Sequence, residues 1–527
     1  MSSLWRSCHQ ETDGGEEATR RGDDFAERGR SGDREPTERS RLLPRRPYLD
    51  PDDPAVSPYN LWSVRALRGL TVLFLVMTFA WWVLLLVSLF VSPPKMNSRG
   101  SGFSDFSFTT LTMSNLFIAL IFFSIPSMPM TIWGASLCLF LAVNMFIVIG
   151  VLRLRVEEGW VGIASVVWAT IISLYLLAQT RFVAWGKREE EERLTGREET
   201  RRPLREWIAV LIETIVMTVT VLVSILLMAT LILRAKDATL PAPGSKYYVD
   251  NSKYQVHMEC VGQTPSTMGA NRSATVLVEA GEMPVEHTFR SWVHEAYRNG
   301  SIDRYCYWDR PGMGWSDNAP SPHSAGMAAD ALSEALALAG ESGPWVVVSA
   351  GVGGIYSRIF ASGHAHDVTG MMLIDSLHED FLPELGNPRR GFMLWVRGIF
   401  SPLGLDRLFG AIVKGYTRED RVYGKRAWEG GKFTKAKLQE NLVADSTTKS
   451  EISNAKNIQS RSTRLVVVSS GLEMKKSKKW ADKQKDLTNI TDTLVAWDVV
   501  EDAPHEVWRT DYGRALLGER LKKLVKL

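Results

Sequence analysis

The residues that could carry chemistry lie in the C-terminal half of the chain, at the ends of predicted strands. The segment GPWVVVSAGVGGIYSRIFA (343–361) predicts a buried strand, a sharp glycine-rich turn and a helix, and it contains Ser349 and Ser357. Asp375 ends the strand pattern MMLID, and His505 is the last histidine of the chain. A serine hydroxyl, a histidine and a carboxylate are the groups of nucleophilic acyl transfer, so these positions mark a candidate hydrolytic site.

Alternating strand and helix patterns must position these residues. Apolar runs that end in glycine or an acid recur through the C-terminal half, separated by helical patterns such as MAADALSEALALAG (327–340). The segments that contain the predicted strands are 274–281, 304–317, 344–362, 368–376, 464–471 and 493–506. This alternation predicts an α/β domain with a doubly wound, mostly parallel sheet over 240–527.

The order of these segments resembles the α/β-hydrolase fold. YWDRPGMGWSD (307–317) is similar to that superfamily's Asp-Arg-Pro-Gly-x-Gly-x-Ser segment, and GPWVVVSAGVGGIYSRIFA is similar to its nucleophile elbow. MMLIDSLHED resembles the next strand with its acid, and DAPHEVWRTD (502–511) stands where the loop of the catalytic histidine belongs. The resemblance implies a serine ester hydrolase, or a relative that has lost this activity.

The nucleophile position of the elbow is occupied by glycine. A hydrolase elbow reads Gly-x-Ser-x-Gly, and aligning SAGVG to it places Ser349 at the first glycine and Gly351 at the serine. Without a hydroxyl, Gly351 cannot form an acyl intermediate. Two nearby serines are candidate substitutes. Ser349 ends the strand and Ser357 lies on the helix, so neither is expected to point in the direction of an elbow nucleophile. We predict a pseudo-hydrolase; the alternative is an ester or lipid hydrolase that uses a displaced serine or a water positioned by His505.

The other catalytic positions implied by the resemblance are retained. His505 matches the base, and two residues compete for the acid: Asp375, or Glu473 after the strand RLVVVSSG, near the more usual acid position. The implied oxyanion donors are the backbone N–H groups of Val352 and of Glu282 or Met283. These donors survive the loss of the serine and could still hold a carboxylate or ester oxygen.

Two cysteines lie on strands that are neighbours in the α/β-hydrolase sheet. Cys260 and Cys306 are on the second and fourth predicted strands. The resemblance therefore implies a disulfide in an oxidising lumen, and two separate buried thiols are the alternative.

The insert at about 381–460 occupies the place where this superfamily carries a cap over its pocket. Its segment GFMLWVRGIFSPLGLDRLFGAIV (391–413) is mostly apolar, with charged residues at intervals along it. It is either a lid that touches the bilayer, suited to a lipid or acyl ligand, or an ordinary packed cap helix.

Residues 61–236 are predicted to form a transmembrane region of five helices in the lipid bilayer. The apolar stretches lie at 69–91, 108–125, 130–152, 160–178 and 207–233. The first is long enough, at 1.5 Å per residue, to cross about 30 Å of hydrocarbon. Glu213, inside the fifth stretch, is either a functional carboxylate or one that snorkels or is hydrogen-bonded in protonated form. This layout also resembles a fungal family of multi-pass integral membrane proteins of unknown function.

The distribution of basic residues predicts the orientation. The segment 181–205, between the fourth and fifth stretches, carries eight Lys or Arg, so the positive-inside rule places it in the cytosol and the C-terminal domain in a lumen. The glycosylation sequons at Asn271, Asn299 and Asn489 all lie in that domain. We expect a glycoprotein of the endoplasmic reticulum, Golgi or vacuole. A mitochondrial membrane fits less well, because residues 1–60 are too acidic for a presequence.

Residues 1–60 form a polar tail with thirteen acids and ten arginines. So few apolar residues predict a disordered cytosolic segment. Glu38, Leu42 and Leu43 resemble an acidic dileucine signal read by a sorting adaptor, and chance in an Arg-rich tail is the alternative.

Composition excludes several other functions. The net charge of +3 over 527 residues gives no case for nucleic-acid binding. Four scattered cysteines provide no zinc site, and P-loop, His-Glu-x-x-His and dinucleotide fingerprints are absent. We therefore predict neither a metal nor a cofactor.

Overall fold

Five long helices come first in the computed structural model of the chain, which describes residues 58–96, 98–196, 204–263 and 273–526. They are α1 (Trp62–Ser88), α2 (Phe103–Ile121), α3 (Met128–Gly150), α4 (Leu152–Thr195) and α5 (Leu204–Asp237). Within the described residues, α1, α3, α4 and α5 are long and apolar enough to cross a membrane. The second helix is the exception to the predicted five spans: it has 19 residues, and its buried face includes Asp105 and several hydroxyl side chains.

Helix α4 differs from its prediction at both ends. The segment predicted as a loop before residue 160 is helical, and Gly159, with φ 64° and ψ −165°, breaks α4 into 152–158 and 160–195. At the other end the helix continues to Thr195, so the first basic residues of 181–205 lie on a helix and not in a loop. At 1.5 Å per residue, 44 residues extend about 66 Å, so part of α4 lies outside the hydrocarbon layer.

Polar side chains inside the helical region are hydrogen-bonded between helices. Glu213 on α5 is fully buried and accepts a hydrogen bond from the Ser127 hydroxyl at 2.9 Å, next to the start of α3. This contact agrees with the hydrogen-bonded alternative for Glu213. Asn144 on α3 donates to the backbone carbonyl of Ser224 on α5 at 3.4 Å. Such bonds tie helices together where no water is available.

An eight-stranded sheet follows, in the order β1-β2-β4-β3-β5-β6-β7-β8. The strands are β1 (Ser245–Val249), β2 (Tyr254–Gly262), β3 (Thr275–Glu279), β4 (Arg304–Trp308), β5 (Trp345–Ala350), β6 (Val368–Ile374), β7 (Arg464–Ser470) and β8 (Leu494–Val500). Strand β2 runs antiparallel to both of its neighbours, and every pairing from β4 to β8 is parallel. This is the sheet of the α/β-hydrolase fold that the sequence predicts.

Helices cover both faces of the sheet, which explains the continuous apolar runs of its central strands. They are α6 (Phe289–Arg298), α7 (Ala325–Ala339), α8 (Gly353–Gly363), then, after the insert, α15 (Gly471–Lys476), α16 (Lys478–Asp486) and α17 (Asp511–Val525). Side chains of α6 and α17 share one buried cluster with the sheet, and side chains of α7 and α8 share the other.

The insert between β6 and β7 forms a helical cap. Its helices are α9 (Leu382–Leu385), α10 (Pro388–Phe400), α11 (Leu405–Ile412), α12 (Arg418–Val422), α13 (Gly431–Val443) and α14 (Lys449–Ile458). Exposed apolar side chains are concentrated on α10 and α11: Phe392, Met393, Phe400, Leu405, Phe409 and Ile412.

Buried ionic contacts join the cap to the ends of the long helices. Asp237, the last residue of α5, receives hydrogen bonds from Arg407 on α11 and from Arg421 on α12, each with a shortest distance of 2.6 Å. Lys435 on α13 is buried and donates to the carbonyl oxygen of Leu89, just after α1. These contacts fix the cap against the helix ends, because a buried charge is stable only while it is paired.

Replacing Asp237 tests this junction. Asp237→Ala leaves two arginines without their carboxylate, so we expect the free energy of unfolding to fall by about 3–5 kcal/mol. Asp492→Ala is the control, since its partner Arg461 is 72% exposed, and exposed pairs contribute about 1 kcal/mol or less. Thermal unfolding of the full chain in neutral detergent gives the comparison. Equal small losses in both variants would contradict the structural role of Asp237.

Candidate functional site

The turn between β5 and α8 is built from three glycines. Gly351 has φ +52°, the left-handed region in which a glycine avoids the strain of a side chain. A Cβ on Gly353 would overlap the carbonyl oxygen of Ala280, and a Cβ on Gly354 would overlap the hydroxyl of Ser376. The turn therefore brings the first residues of α8 directly against the end of β3, as a strand–turn–helix elbow requires.

His505 and Asp375 meet above this turn. The Nδ1 atom of His505, in the loop after β8, lies 2.6 Å from Oδ2 of Asp375, the residue that follows β6. Asp375 is fully buried, and its Oδ1 accepts hydrogen bonds from the Ser470 backbone at 3.1 Å and the Trp480 indole at 3.0 Å. These bonds fix the carboxylate, which in turn orients the imidazole as in a catalytic triad.

Glu473, the other candidate for the acid, does not contribute to this pair. It lies in the first turn of α15, where its backbone N–H donates to the Ser470 hydroxyl. Its carboxylate accepts a hydrogen bond from Lys476 at 2.6 Å. The structure therefore places Asp375, and not Glu473, beside His505.

The elbow aligns Gly351 with the second imidazole nitrogen. A Cβ built on Gly351 would lie 3.0 Å from Nε2 of His505, so a side chain at this position would face the base directly. The same Cβ would lie 3.1 Å from Oε1 of Glu282. Position 351 is thus the nucleophile position in geometry as well as in sequence, but it provides no nucleophile.

The Glu282 side chain is the element of the site that sequence reasoning missed. Its Oε1 accepts a hydrogen bond from the Val352 backbone N–H at 3.3 Å. Sequence reasoning assigned Val352 as an oxyanion donor and considered Glu282 or Met283 only for their backbone N–H groups. The structure instead places a carboxylate oxygen on the Val352 donor, the place that an oxyanion would take. The one sequence signal for this role was that residue 282 is acidic.

Cations from two other segments hold Glu282. Lys437 on α13 lies 3.2 Å from Oε2 of Glu282, and Arg310, from the Asp-Arg-Pro-Gly segment, donates to the carbonyl oxygen of Gly281. Partial burial acts to raise the pKa of the Glu282 carboxyl, but the charges of Lys437, Arg310 and His505 outweigh it and lower the pKa to about 2. The carboxylate stays ionised at physiological pH.

The charge on His505 follows from its two acidic neighbours. Burial acts to lower the pKa of the imidazole, but the hydrogen bond and charge of Asp375, together with the charge of Glu282, outweigh it and raise the pKa. The two carboxylates therefore stabilise the protonated form of the imidazole relative to a free histidine. Protonated His505 can orient an anionic or carbonyl group, and neutral His505 can act as a general base.

The serines considered as substitutes are directed away from the site. Ser357 donates a hydrogen bond to the Ser349 hydroxyl at 2.7 Å, and both side chains are buried. Each hydroxyl is thus held by the other beneath the elbow, so neither replaces the missing side chain of Gly351.

The remaining predicted residues lie elsewhere. Cys260 is opposite Cys306 in the β2–β4 pairing, and their sulfurs are bonded to each other. Glu341 is close enough to complete a metal site with them, but the disulfide leaves no thiolate for a metal. Asn299 and Asn489 are exposed. The third sequon and the sorting signal lie outside the described residues: Asn271, Glu38, Leu42 and Leu43.

Comparisons with known proteins find relatives of the chain and solved structures that resemble part of it. A family model described as a region of unknown function (DUF2417) matches residues 38–260. An uncharacterized protein of Schizosaccharomyces pombe is 35% identical over 528 residues, covering 93% of this chain and 96% of that protein. An uncharacterized vacuolar membrane protein of Saccharomyces cerevisiae is 28% identical over 331 residues, covering 54% of this chain and 51% of that protein. An α/β hydrolase enzyme from a Medee basin deep-sea metagenome library is 12% identical with TM-score 0.39, covering 53% of this chain and 96% of that one.

The raised pKa of His505 predicts a pH-dependent contribution to stability. A histidine whose pKa is raised by folding stabilises the protein fully below its unfolded pKa of about 6.5, and this contribution is lost as the pH rises through the folded pKa. We expect His505→Gln to lower the melting temperature more at pH 5.5 than at pH 9. His366→Gln, at an exposed position, is the control. If His505→Gln lowers the melting temperature equally at both pH values, the result would contradict the raised pKa of His505.

Proposed function

Because the chain belongs to the same family as the Schizosaccharomyces pombe protein and ends in an α/β-hydrolase domain, we propose that it is a membrane-anchored pseudo-hydrolase. The observation that carries this proposal is Gly351, which occupies the nucleophile position below an intact His505–Asp375 pair. Acyl transfer requires an atom that can bond to the substrate carbonyl, and glycine supplies none.

Glu282 supports a binding function for the pocket. Its carboxylate accepts the Val352 N–H and lies beside the His505 imidazole, so it imitates a bound carboxylate product. A ligand with a carboxylate or ester oxygen would compete with Glu282 for the same donors. On displacement, Lys437 can retain the released carboxylate. We therefore infer that ligand binding and movement of Glu282 are coupled.

The cap supports a lipid or acyl compound as this ligand, with a partner protein as the alternative. Helix α10 packs its Gly398 against Phe103 of α2, and the Asp237 contact holds α11 at the end of α5. Exposed side chains on α11 such as Phe409 thus lie next to α5, which is long and apolar enough to cross a membrane. Apolar side chains at this level favour contact with the bilayer and entry of a lipid-like ligand.

A hydrolase that uses a water positioned by His505 is the second candidate, favoured by the retained hydrogen bond to Asp375. Two features oppose it. The neighbouring carboxylates raise the pKa of His505, which reduces the fraction of neutral imidazole that can accept a proton from water. A carbonyl oxygen entering the oxyanion position would also meet the negative charge of Glu282.

The protein is a multi-pass protein of the endomembrane system, and we propose that its C-terminal domain is lumenal. The basic residues of 181–205 and the exposed sequon residues Asn299 and Asn489 support this orientation. The similarity to a vacuolar membrane protein favours the vacuole among the possible compartments. A tail in the cytosol would present Glu38, Leu42 and Leu43 to a sorting adaptor.

Restoring the serine tests the pseudo-hydrolase proposal. We expect the full-length Gly351→Ser variant to react slowly with a fluorophosphonate, because Glu282 blocks the oxyanion donor. Adding Glu282→Gln should raise the labelling rate about tenfold or more, since oxyanion donors contribute on the order of 10²–10³ in rate. Labelling is measured by in-gel fluorescence and by intact mass.

Two controls make this labelling result specific. Gly351→Ala adds the Cβ without the hydroxyl and should not react. Adding His505→Ala to the serine variant should abolish labelling, because the base would be lost. If the serine variants fold but none reacts, the geometry proposed for the elbow is wrong.

Removing the sequons tests the orientation. If the domain is lumenal, endoglycosidase treatment should shift the apparent mass of the wild-type chain. This shift should be lost when Asn271, Asn299 and Asn489 are all replaced by glutamine. The single variants show which positions carry glycans. A wild-type chain that shows no shift, together with cytosolic protease access to the C-terminal domain in sealed vesicles, would reverse the assignment.

A further inference from the structure

A charged cavity lies where the long helices meet the α/β domain, away from the elbow. It has a volume of about 140 Å³ and is lined by the ends of α2, α4 and α5, by β1, and by the cap. This volume is close to that of cavities that hold a benzene-sized molecule, about 150 Å³. We name it the junction cavity. Because the walls of the cavity are polar, a ligand that binds there must be charged or form hydrogen bonds.

Cations outnumber acids in the walls of the junction cavity. The lining cations are Arg153, Arg234, Lys246, Arg407, Arg421 and Lys432, and the lining acids are Glu157, Asp237 and Asp317. Three of the cations are paired: Arg234 with Glu158 at 2.5 Å and with Glu157 at 2.9 Å, and Arg407 and Arg421 with Asp237 at 2.6 Å each.

None of the other three cations forms an ion pair within the part of the chain that the structure describes. Lys432 donates to the carbonyl oxygen of Gly314 at 3.0 Å, and the charges of Glu157, Asp317 and Asp309 offset its burial only in part, since its pKa stays lowered. Arg153 and Lys246 face the same space, where Asp317 and Glu157 are the lining acids that act on Lys246. This local excess of positive charge is the main reason to expect an anion in the cavity.

Unused hydrogen-bond donors line the same space. Thr230 of α5 is 4% exposed, and its hydroxyl has no hydrogen-bond partner. Helix α13 begins at the cavity with Gly431, Lys432 and Phe433, and its N-cap residue, Gly430, has no side chain to cap the first N–H groups. Free N–H groups and the positive end of a helix dipole favour an anion such as phosphate.

The depth of the cavity matches that of lipid headgroups. Arg234 and Asp237 lie in the last turn of α5, and Arg153 lies in the first turn of α4, so the cavity is at the end of the membrane-spanning segments. Val156, which also lines it, is 39% exposed on the outer side of α4. A basic pocket at this level is accessible to a lipid whose acyl chains remain in the bilayer.

We propose that the junction cavity binds the phosphate group of an anionic membrane lipid, with Arg153, Lys246 and Lys432 as its cationic ligands. The bound lipid would supply an ion-pair partner for these three cations and link the cap to the ends of α4 and α5. This site is separate from the elbow, and its role does not depend on whether the elbow is catalytic.

The titration of two lysines agrees with this assignment. Burial, together with the charges of Lys432 and Arg153, lowers the pKa of Lys246 to about 8. Burial also lowers the pKa of Lys432. Both shifts express mainly the cost of burying a lysine charge, with cation–cation repulsion added for Lys246, and a bound phosphate would oppose them.

The test measures the melting temperature of the full-length protein in neutral detergent with three probes. They are dioctanoyl phosphatidic acid, dioctanoyl phosphatidylcholine and inorganic phosphate. We expect phosphatidic acid to raise the melting temperature in a saturable way, and the other two probes to have little effect at the same concentration.

An Arg153→Gln/Lys246→Gln variant should raise the apparent Kd for phosphatidic acid at least about tenfold, since charge-assisted hydrogen bonds are lost. Its melting temperature without lipid should not fall, because two mutually repelling cations are removed. Lys456→Gln/Arg461→Gln makes the same change of charge at exposed positions and should retain binding. If the first variant fails to fold, Lys246→Gln alone, on the edge strand β1, provides the comparison.

The outcomes separate the possible sources of phosphate. An equal shift with inorganic phosphate, lost in the same variant, would replace the lipid by a soluble phosphate compound and overturn the lipid assignment. An equal shift with phosphatidylcholine would overturn the requirement for an anion. No saturable shift with any probe, or unchanged affinity in the variant, would overturn the site itself.

Discussion

The sharp turn between β5 and α8 is the constraint on which the site depends. Gly353 and Gly354 are required there, because any side chain would overlap the carbonyl of Ala280 or the hydroxyl of Ser376. Gly351 is different: the nearest atoms to an added Cβ belong to the side chains of His505 and Glu282. A side chain at residue 351 would have to tolerate the strain of a positive φ, but it would meet only these two side chains and no backbone. The loss of the nucleophile leaves the rest of the elbow intact.

Helix α13 connects the features that this turn organises with the membrane region. Its first residues line the junction cavity, Lys435 contacts the end of α1, and Lys437 holds Glu282 above the elbow. Lys437 is paired with carboxylates, whereas Lys435 is buried with a carbonyl oxygen as its acceptor, and burial lowers its pKa to about 7. One helix therefore contacts the cavity, the end of α1 and the pocket. The membrane region and the pocket thus share a physical connection.

The sequence predicted the helices, strands and turns better than the charge interactions between their side chains. Alternating apolar runs and the Asp-Arg-Pro-Gly segment were enough for the α/β-hydrolase sheet, and the elbow pattern was enough to place Gly351 opposite His505. The choice between Asp375 and Glu473 depended on side-chain directions, which spacing along the chain does not determine. The role of the Glu282 side chain depended on Lys437, which is 155 residues away in sequence. Helix α2 is present as predicted, but it is not among the candidate spans, and its buried face includes Asp105 and several hydroxyl side chains.

The most direct test of the central claim is the reaction of the unmodified protein with an excess of fluorophosphonate, followed by intact mass and peptide mapping. The account predicts no adduct in the C-terminal domain under conditions in which the Gly351→Ser/Glu282→Gln protein is modified at residue 351. A stoichiometric adduct on any serine of the wild-type domain, abolished by His505→Ala, would contradict it. Such an adduct would show that a displaced serine serves the His505–Asp375 pair.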